Sequence, residues 1–168
     1  FRHEIGHFYW NLLVRDSDRL EACRALFGDD RLDYAEALNR HHAEGAPPNW
    51  QASYVSAYAT MHPWEDFAET WAHCMHIVDT LETAAAFGVS LRPRIAGGES
   101  LAADLPFDPY AADSFDRILG AWLPVVIAAN AINRSMGVGD IYPFVVTPAV
   151  AAKLAFVHDL IRRAGGSA

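Results

Sequence analysis

Cysteine and lysine are scarce in this sequence of 168 residues. Its two cysteines, Cys23 and Cys74, are too few for a disulfide framework and are not spaced as a Cys-x-x-Cys metal site. Their scarcity favours a reduced, cytoplasmic protein. Lys153 is the single lysine among thirteen basic residues, and the formal net charge is −8. The chain therefore has no basic stripe with which to neutralise phosphates, and we expect no nucleic-acid partner.

Long apolar runs are scarce as well. The longest covers residues 118–132 and includes Pro124 and Asn130. It is shorter than the roughly 20 residues of a membrane-spanning helix, so we interpret it as buried core and expect no membrane partner. Hydrophobic residues make up 52% of the chain and charged residues 20%. This composition is typical of a globular protein, and the length predicts a single domain over residues 1–168.

Helical periodicity dominates the chain, and the sequence predicts a mainly α fold. Helices are expected from before residue 3 to about residue 14, and over 18–27, 33–44, 62–87, 112–136 and 148–164. In the first helix, Phe8, Leu12 and Leu13 are expected on the apolar side. The sequence predicts a short helical turn over residues 49–60, an irregular loop over 90–109 and a short strand over 142–146. Pro124 is expected to kink or divide its helix because it removes a backbone donor.

A metal-binding motif, His3-Glu4-Ile5-Gly6-His7, stands at the start of the chain. Two histidines four residues apart lie on one helical face, where both imidazoles can reach a single zinc ion. Glu4 lies between them, where a carboxylate can take a proton from a water molecule that the metal activates. The alternative is a surface helix that carries two histidines by chance. The residues downstream favour the metal site.

Little sequence precedes this motif. A zinc peptidase normally has an edge strand ahead of the motif helix, on which an extended substrate lies. Here only Phe1 and Arg2 come before the first candidate ligand. We therefore expect the chain to be the helical, C-terminal portion of a zincin-like catalytic domain, with the upstream sheet missing.

A catalytic zinc site needs a third protein ligand and one position open for water. The metzincin pattern would place a third histidine at position 13, which is Leu13. The best remaining candidates are Glu65 and Glu69, which share a helix face among apolar neighbours. We predict Glu65 as the third ligand, and Glu69 as the acceptor of the outer N–H of one motif histidine. The alternative is that both carboxylates face solvent, as we expect for Asp66 unless it caps the helix.

The pattern that joins these residues resembles a known family. His3-Glu4-Ile5-Gly6-His7, followed by Tyr58-x6-Glu65-x2-Ala68-Glu69, is similar to the gluzincin zinc peptidases, and the segment 56–66 resembles a bacterial family of zinc-binding metallopeptidases. The spacing of Tyr, Glu and the second acidic residue also resembles the catalytic domain of anthrax lethal factor. The resemblance covers residue 1 to about 83.

The resemblance implies His3, His7 and Glu65 as zinc ligands and Glu4 as the general base. It also implies that Tyr58 donates a hydrogen bond to the oxyanion that develops during hydrolysis. A tyrosine in an apolar segment is otherwise typical of a core residue whose hydroxyl bonds locally. The sequence thus predicts a zinc-dependent metallopeptidase that acts on peptides or proteins. The alternatives are an inactive zinc-binding or scaffold module and a hydrolase of non-peptide amides.

Overall fold

The computed structural model describes residues 1–95, 97–104, 108–142 and 145–165. In this part of the chain there are six α-helices and one two-stranded sheet, which confirms the prediction of a mainly α fold. The helices are α1 (Arg2–Leu13), α2 (Leu20–Phe27), α3 (Tyr34–Glu44), α4 (Pro63–Ala86), α5 (Phe115–Ser135) and α6 (Pro148–Gly165). The strands are β1 (Ser90–Leu91) and β2 (Ala103–Asp104).

The helix ends follow the local signals in the sequence. Asp33 caps α3, because its side chain accepts a hydrogen bond from the backbone N–H of Glu36. Gly28 and Gly45 end α2 and α3 with φ angles of 103° and 72°, which a residue with a Cβ rarely adopts. The predicted start of α2 is wrong by two residues, since the helix begins at Leu20. The turn expected over 49–60 forms two short 3-10 turns, Trp50–Ala52 and Tyr58–Thr60.

The chain falls into two compact units. The first contains α1, α2, α3, the part of α4 up to Met75, and α6. The second begins at His76 and contains the rest of α4, the two strands and α5. The expectation of a single domain over 1–168 stays a prediction.

An aromatic cluster lies at the core of the first unit. α2 packs against α6, and the Phe27 ring lies between Phe67 of α4 and Phe156 of α6, at centroid distances of 5.5 and 5.9 Å. Phe67 is fully buried, and Trp71, one turn along α4, is also buried. This packing holds α4, the helix that carries the candidate carboxylate ligands, in a fixed place.

The buried face of α1 differs from the prediction. Phe8 and Leu12 are 61% and 63% exposed, whereas Gly6 and Trp10 are buried. The prediction was wrong because hydrophobicity alone does not show which face of a helix packs against its neighbour. Trp10 instead lies on the side of the helix that carries the motif histidines, one turn beyond His7.

Gly6 marks the close approach of α1 and α4. A Cβ at this position would lie 2.8 Å from Cα of Ala68 and 3.1 Å from its carbonyl oxygen. Only a residue without a side chain allows the two backbones to come so near. The glycine inside the motif therefore brings the two helices together beside the candidate metal ligands.

We expect Gly6→Ala to destabilise the protein by about 1–3 kcal/mol, because the added methyl group meets backbone atoms that cannot move aside. Gly120→Ala is the matched control, since Gly120 is also helical and a Cβ there would meet nothing within 4 Å. The control should stabilise the protein by about 0.5–1 kcal/mol. Chemical denaturation of both variants measures the two effects. Equal stability of Gly6→Ala and wild type would contradict the close packing of α1 on α4.

The second unit contains a small antiparallel sheet that the sequence did not predict. Ser90 pairs with Asp104 and Leu91 with Ala103, within the stretch that was expected to be an irregular loop. Two-residue strands carry too little periodicity to be read from sequence. The strand expected over 142–146 lies partly outside the described residues, and none is present at 142, 145 or 146.

The helix α5 runs through Pro124 without interruption, so it is not divided there. Its buried residues recur at helical spacing and include Ile118, Trp122 and Val126, which agrees with a core helix. By length and composition alone, α5 could also cross a membrane. Core helices of soluble proteins meet the same two criteria, and 44% of the most apolar 18-residue window of α5 is buried. The expectation of no membrane partner stays a prediction.

Candidate metal centre

Three predicted ligands come together where α1 meets α4. His3, His7 and Glu65 each offer one ligand atom, and these atoms lie within 4.8 Å of one another. Their side chains are largely shielded from solvent, with exposed fractions of 21%, 13% and 2%. The four-residue spacing puts both histidines on one face of α1, and the first turn of α4 presents Glu65 to that face.

The distances between these donor atoms suit a tetrahedral metal ion. The Nε2 atoms of His3 and His7 are 3.1 Å apart, and oxygens of Glu65 lie 2.9 Å and 3.4 Å from them. Ligand atoms at normal zinc distances are separated by about 3.3 Å at the corners of a tetrahedron. Two imidazole nitrogens and a carboxylate also form a known catalytic zinc set. The residues therefore fit zinc, while their assignment as ligands stays a prediction.

The carboxylate of Glu65 remains available in its charged form. Burial raises the pKa of a carboxyl group, but the hydrogen bond and charge of His7, the hydrogen bond of Tyr34 and the charge of His3 together lower that of Glu65 below its ordinary value. A charged carboxylate is the form that binds a metal ion.

Glu69 lies one turn beyond Glu65 on α4 and connects His3 to Ser56 in the loop before α4. Nδ1 of His3 is 2.6 Å from one oxygen of Glu69, and the hydroxyl of Ser56 donates to the other oxygen at 2.6 Å. A proton on Nδ1 leaves Nε2 of His3 with a free lone pair directed toward Glu65 and His7. The predicted contact between Glu69 and a motif histidine is present, and its role in tuning a metal ion stays a prediction.

The loop before α4 carries Tyr58. Ser56 also accepts a hydrogen bond from the backbone N–H of Ala59, which helps to hold the short 3-10 turn Tyr58–Thr60. The Tyr58 ring lies 5.9 Å from the His3 ring, and the residue is 40% exposed rather than part of the core. Burial and then the charge of Glu65 raise the pKa of its hydroxyl, so the phenol keeps its proton. A protonated phenol beside the histidines can donate a hydrogen bond.

The second motif histidine is held differently from the first. The His7 ring packs against Trp64 at a centroid distance of 3.9 Å. Its Nδ1 is buried without a hydrogen-bond partner among the described residues. Packing against Trp64 therefore helps to orient this imidazole, since its Nδ1 has no bonded carboxylate like that of His3 in the described part of the chain. Glu4, between the two histidines, lies exposed on the surface of α1.

Tyr34 is a site residue that the sequence analysis missed. It is the first residue of α3, and its hydroxyl donates a hydrogen bond of 3.0 Å to Oε1 of Glu65. Its ring contacts His62 and Trp64 at centroid distances of 5.4 and 6.2 Å. The sequence predicted only a helix over 33–44, and nothing local links Tyr34 to residue 65.

The expectation that Asp66 faces solvent or caps the helix is wrong. Asp66 is fully buried, and one of its oxygens lies 2.5 Å from Nζ of Lys153 on α6. The cap of α4 is His62, whose Nδ1 accepts a hydrogen bond from the backbone N–H of Trp64. The carboxylate of Asp66 avoids solvent because the single lysine of the chain supplies a buried partner.

Sequence comparisons relate the chain to a described family and to bacterial proteins. Residues 1–160 match the family described as "Putative zinc-binding metallo-peptidase". An uncharacterized protein of Mycobacterium bovis and one of Mycobacterium tuberculosis are each 45% identical to the chain over 164 residues. The match covers 96% of this chain and 45% of each relative, so the chain spans less than half the length of these proteins. No solved structure matches the chain.

Proposed function

Because the chain belongs to this family of zinc-binding metallo-peptidases, we propose that it is the metal-binding catalytic core of a peptidase of the gluzincin type. The observation that carries the proposal is the convergence of His3, His7 and Glu65, with donor atoms within 4.8 Å of one another. The presence of Glu4 within the same motif favours catalysis over a purely structural site, since a structural zinc ion needs no general base.

His3, His7 and Glu65 would hold the zinc ion, and a fourth position would stay open for water or substrate. Bound zinc supplies Lewis-acid chemistry, which polarises the scissile carbonyl and makes water more acidic. Glu69 keeps the proton on Nδ1 of His3, so that Nε2 remains a ligand atom.

The remaining steps belong to side chains of the chain itself. Glu4 accepts a proton from the attacking water and later transfers it to the nitrogen of the leaving amine. The Tyr58 hydroxyl donates a hydrogen bond to the carbonyl oxygen as negative charge develops on it. Trp64 and Trp10 pack at 6.5 Å beside the histidines and limit the access of water there.

A peptide-library digest with the full-length protein tests this function. Mass spectrometry would record cleavage by the zinc-loaded protein, after removal of zinc by a chelator, and after zinc is restored. We expect cleavage only in the first and third samples. Stoichiometric zinc without cleavage of any peptide would contradict the proposal and favour a zinc-binding scaffold module. Cleavage that survives complete metal removal would contradict it as well.

A further inference from the structure

We propose that Tyr34 is a positioning residue of the metal centre, which holds Glu65 in a one-oxygen binding mode and so keeps a coordination position open. This inference rests on the proposed function, because it concerns the same zinc site. The residue that orients Glu65 is Tyr34 on α3, a helix that carries none of the predicted ligands.

The two oxygens of Glu65 have different neighbours. Oε1 accepts the hydrogen bond from the Tyr34 hydroxyl at 3.0 Å and lies 3.4 Å from Nε2 of His7, whereas Oε2 lies 2.9 Å from Nε2 of His3. Oε2 is therefore the oxygen that lies nearer to a candidate nitrogen ligand, and Tyr34 bonds to the other oxygen. A hydrogen bond from a hydroxyl to a carboxylate is charge-assisted and stronger than one between neutral groups.

Neighbouring residues restrict the Tyr34 side chain, which is 38% exposed. The side chain of Asp33 caps α3 immediately before it, which sets the direction in which the first residue of the helix projects. His62 and Trp64 flank the ring at 5.4 and 6.2 Å. His62 is itself fixed, because it caps α4 and its Nε2 lies 3.1 Å from the carbonyl oxygen of Leu32, two residues before Tyr34.

A carboxylate can bind a metal ion through one oxygen or through both, and the second mode occupies an additional coordination position. With Oε1 held by Tyr34, Glu65 offers Oε2 alone. Water can then be the fourth ligand, and the fifth position that Oε1 would occupy stays free for the carbonyl oxygen of a substrate. A catalytic zinc site requires such an open position. The hydrogen bond from Tyr34 thus favours a catalytic site, in which one coordination position is open, over a site in which protein atoms fill that position.

Cobalt substitution measures the coordination number directly, because the visible absorption of Co²⁺ is strong when four ligands bind and weaker with five. In the Tyr34→Phe variant we expect weaker visible bands than in wild type, because Oε1 of Glu65 can then bind as an additional ligand. We also expect a zinc dissociation constant about 10-fold higher, as is typical when a residue that hydrogen-bonds to a metal ligand is removed. A circular dichroism spectrum equal to that of wild type shows that the variant is folded.

Tyr110→Phe is the matched control. Tyr110 also donates its hydroxyl to a carboxylate, Glu82, at 2.8 Å, but it belongs to the second compact unit. The control should keep the wild-type cobalt spectrum and zinc affinity. A Tyr34→Phe variant with an unchanged spectrum and affinity would overturn the inference while the zinc site stands. A wild-type protein that binds neither Co²⁺ nor Zn²⁺ would overturn both the inference and the proposed function.

Discussion

Replacing Glu4 by Gln is expected to lower peptidase turnover by roughly 100- to 10,000-fold, the range that general-base catalysis typically contributes. The amide is nearly the same size as the carboxylate but cannot accept the proton of the attacking water. Glu4 is exposed on α1 and is not among the three residues that converge as candidate ligands. We therefore expect the zinc content and folding stability of Glu4→Gln to equal those of wild type.

Elemental analysis and kinetics on the same preparation measure the two quantities together. Glu44→Gln provides a matched control, since Glu44 is an exposed glutamate at the end of α3. This control should retain wild-type turnover and zinc content. Full turnover in Glu4→Gln would refute the proposed role of the motif glutamate, even if zinc is bound.

The largest expected effect on stability concerns the pair of Lys153 and Asp66. Lys153→Met should destabilise the protein by about 3–5 kcal/mol, because it leaves the Asp66 carboxylate buried without its cation. Burial raises the pKa of Asp66, and the charge of Lys153 opposes this shift. Nζ of Lys153 also donates to the carbonyl oxygen of Ser53 and lies 4.3 Å from the centre of the Tyr54 ring.

The consequences of this substitution should extend to the metal centre. Asp66 directly follows Glu65, and Ser53 lies in the loop that leads to Ser56 and Tyr58. Loss of the lysine thus loosens both segments that surround the candidate ligands.

Chemical denaturation measures the stability of Lys153→Met. Arg40→Ala is the control, since Arg40 forms an exposed ion pair with Glu36 at 3.9 Å and such pairs contribute about 0–1 kcal/mol. If Lys153→Met unfolds at the same denaturant concentration as the control, the buried pair does not stabilise the fold.

Local patterns in the sequence predicted most of the helices and the candidate ligands. The end of α3 at Gly45 depends on neighbouring residues, which a single sequence displays. The geometry of a helix also places His3 and His7 on one face, whatever surrounds them. Glu65 was identified as a candidate because it lies four residues before Glu69. Two like charges at this spacing repel each other on an ordinary helix, and a nearby metal ion would relieve that repulsion.

Contacts between distant segments could not be predicted in this way. The approach of Gly6 to Ala68, the bond from Tyr34 to Glu65 and the burial of Lys153 join residues that are from 31 to 100 positions apart. Hydrophobic periodicity reports which face of a helix is apolar, but not what it packs against. For this reason Phe8 and Leu12 were expected on the buried side of α1 and are exposed.

The most direct test of the zinc site is anomalous scattering at the zinc edge from crystals of the protein grown with zinc. We predict one peak bounded by His3, His7 and Glu65, with at least one coordination position occupied by solvent. A peak closed by four protein ligands would contradict a catalytic site. The absence of a peak, with the three side chains directed apart, would contradict the metal centre itself.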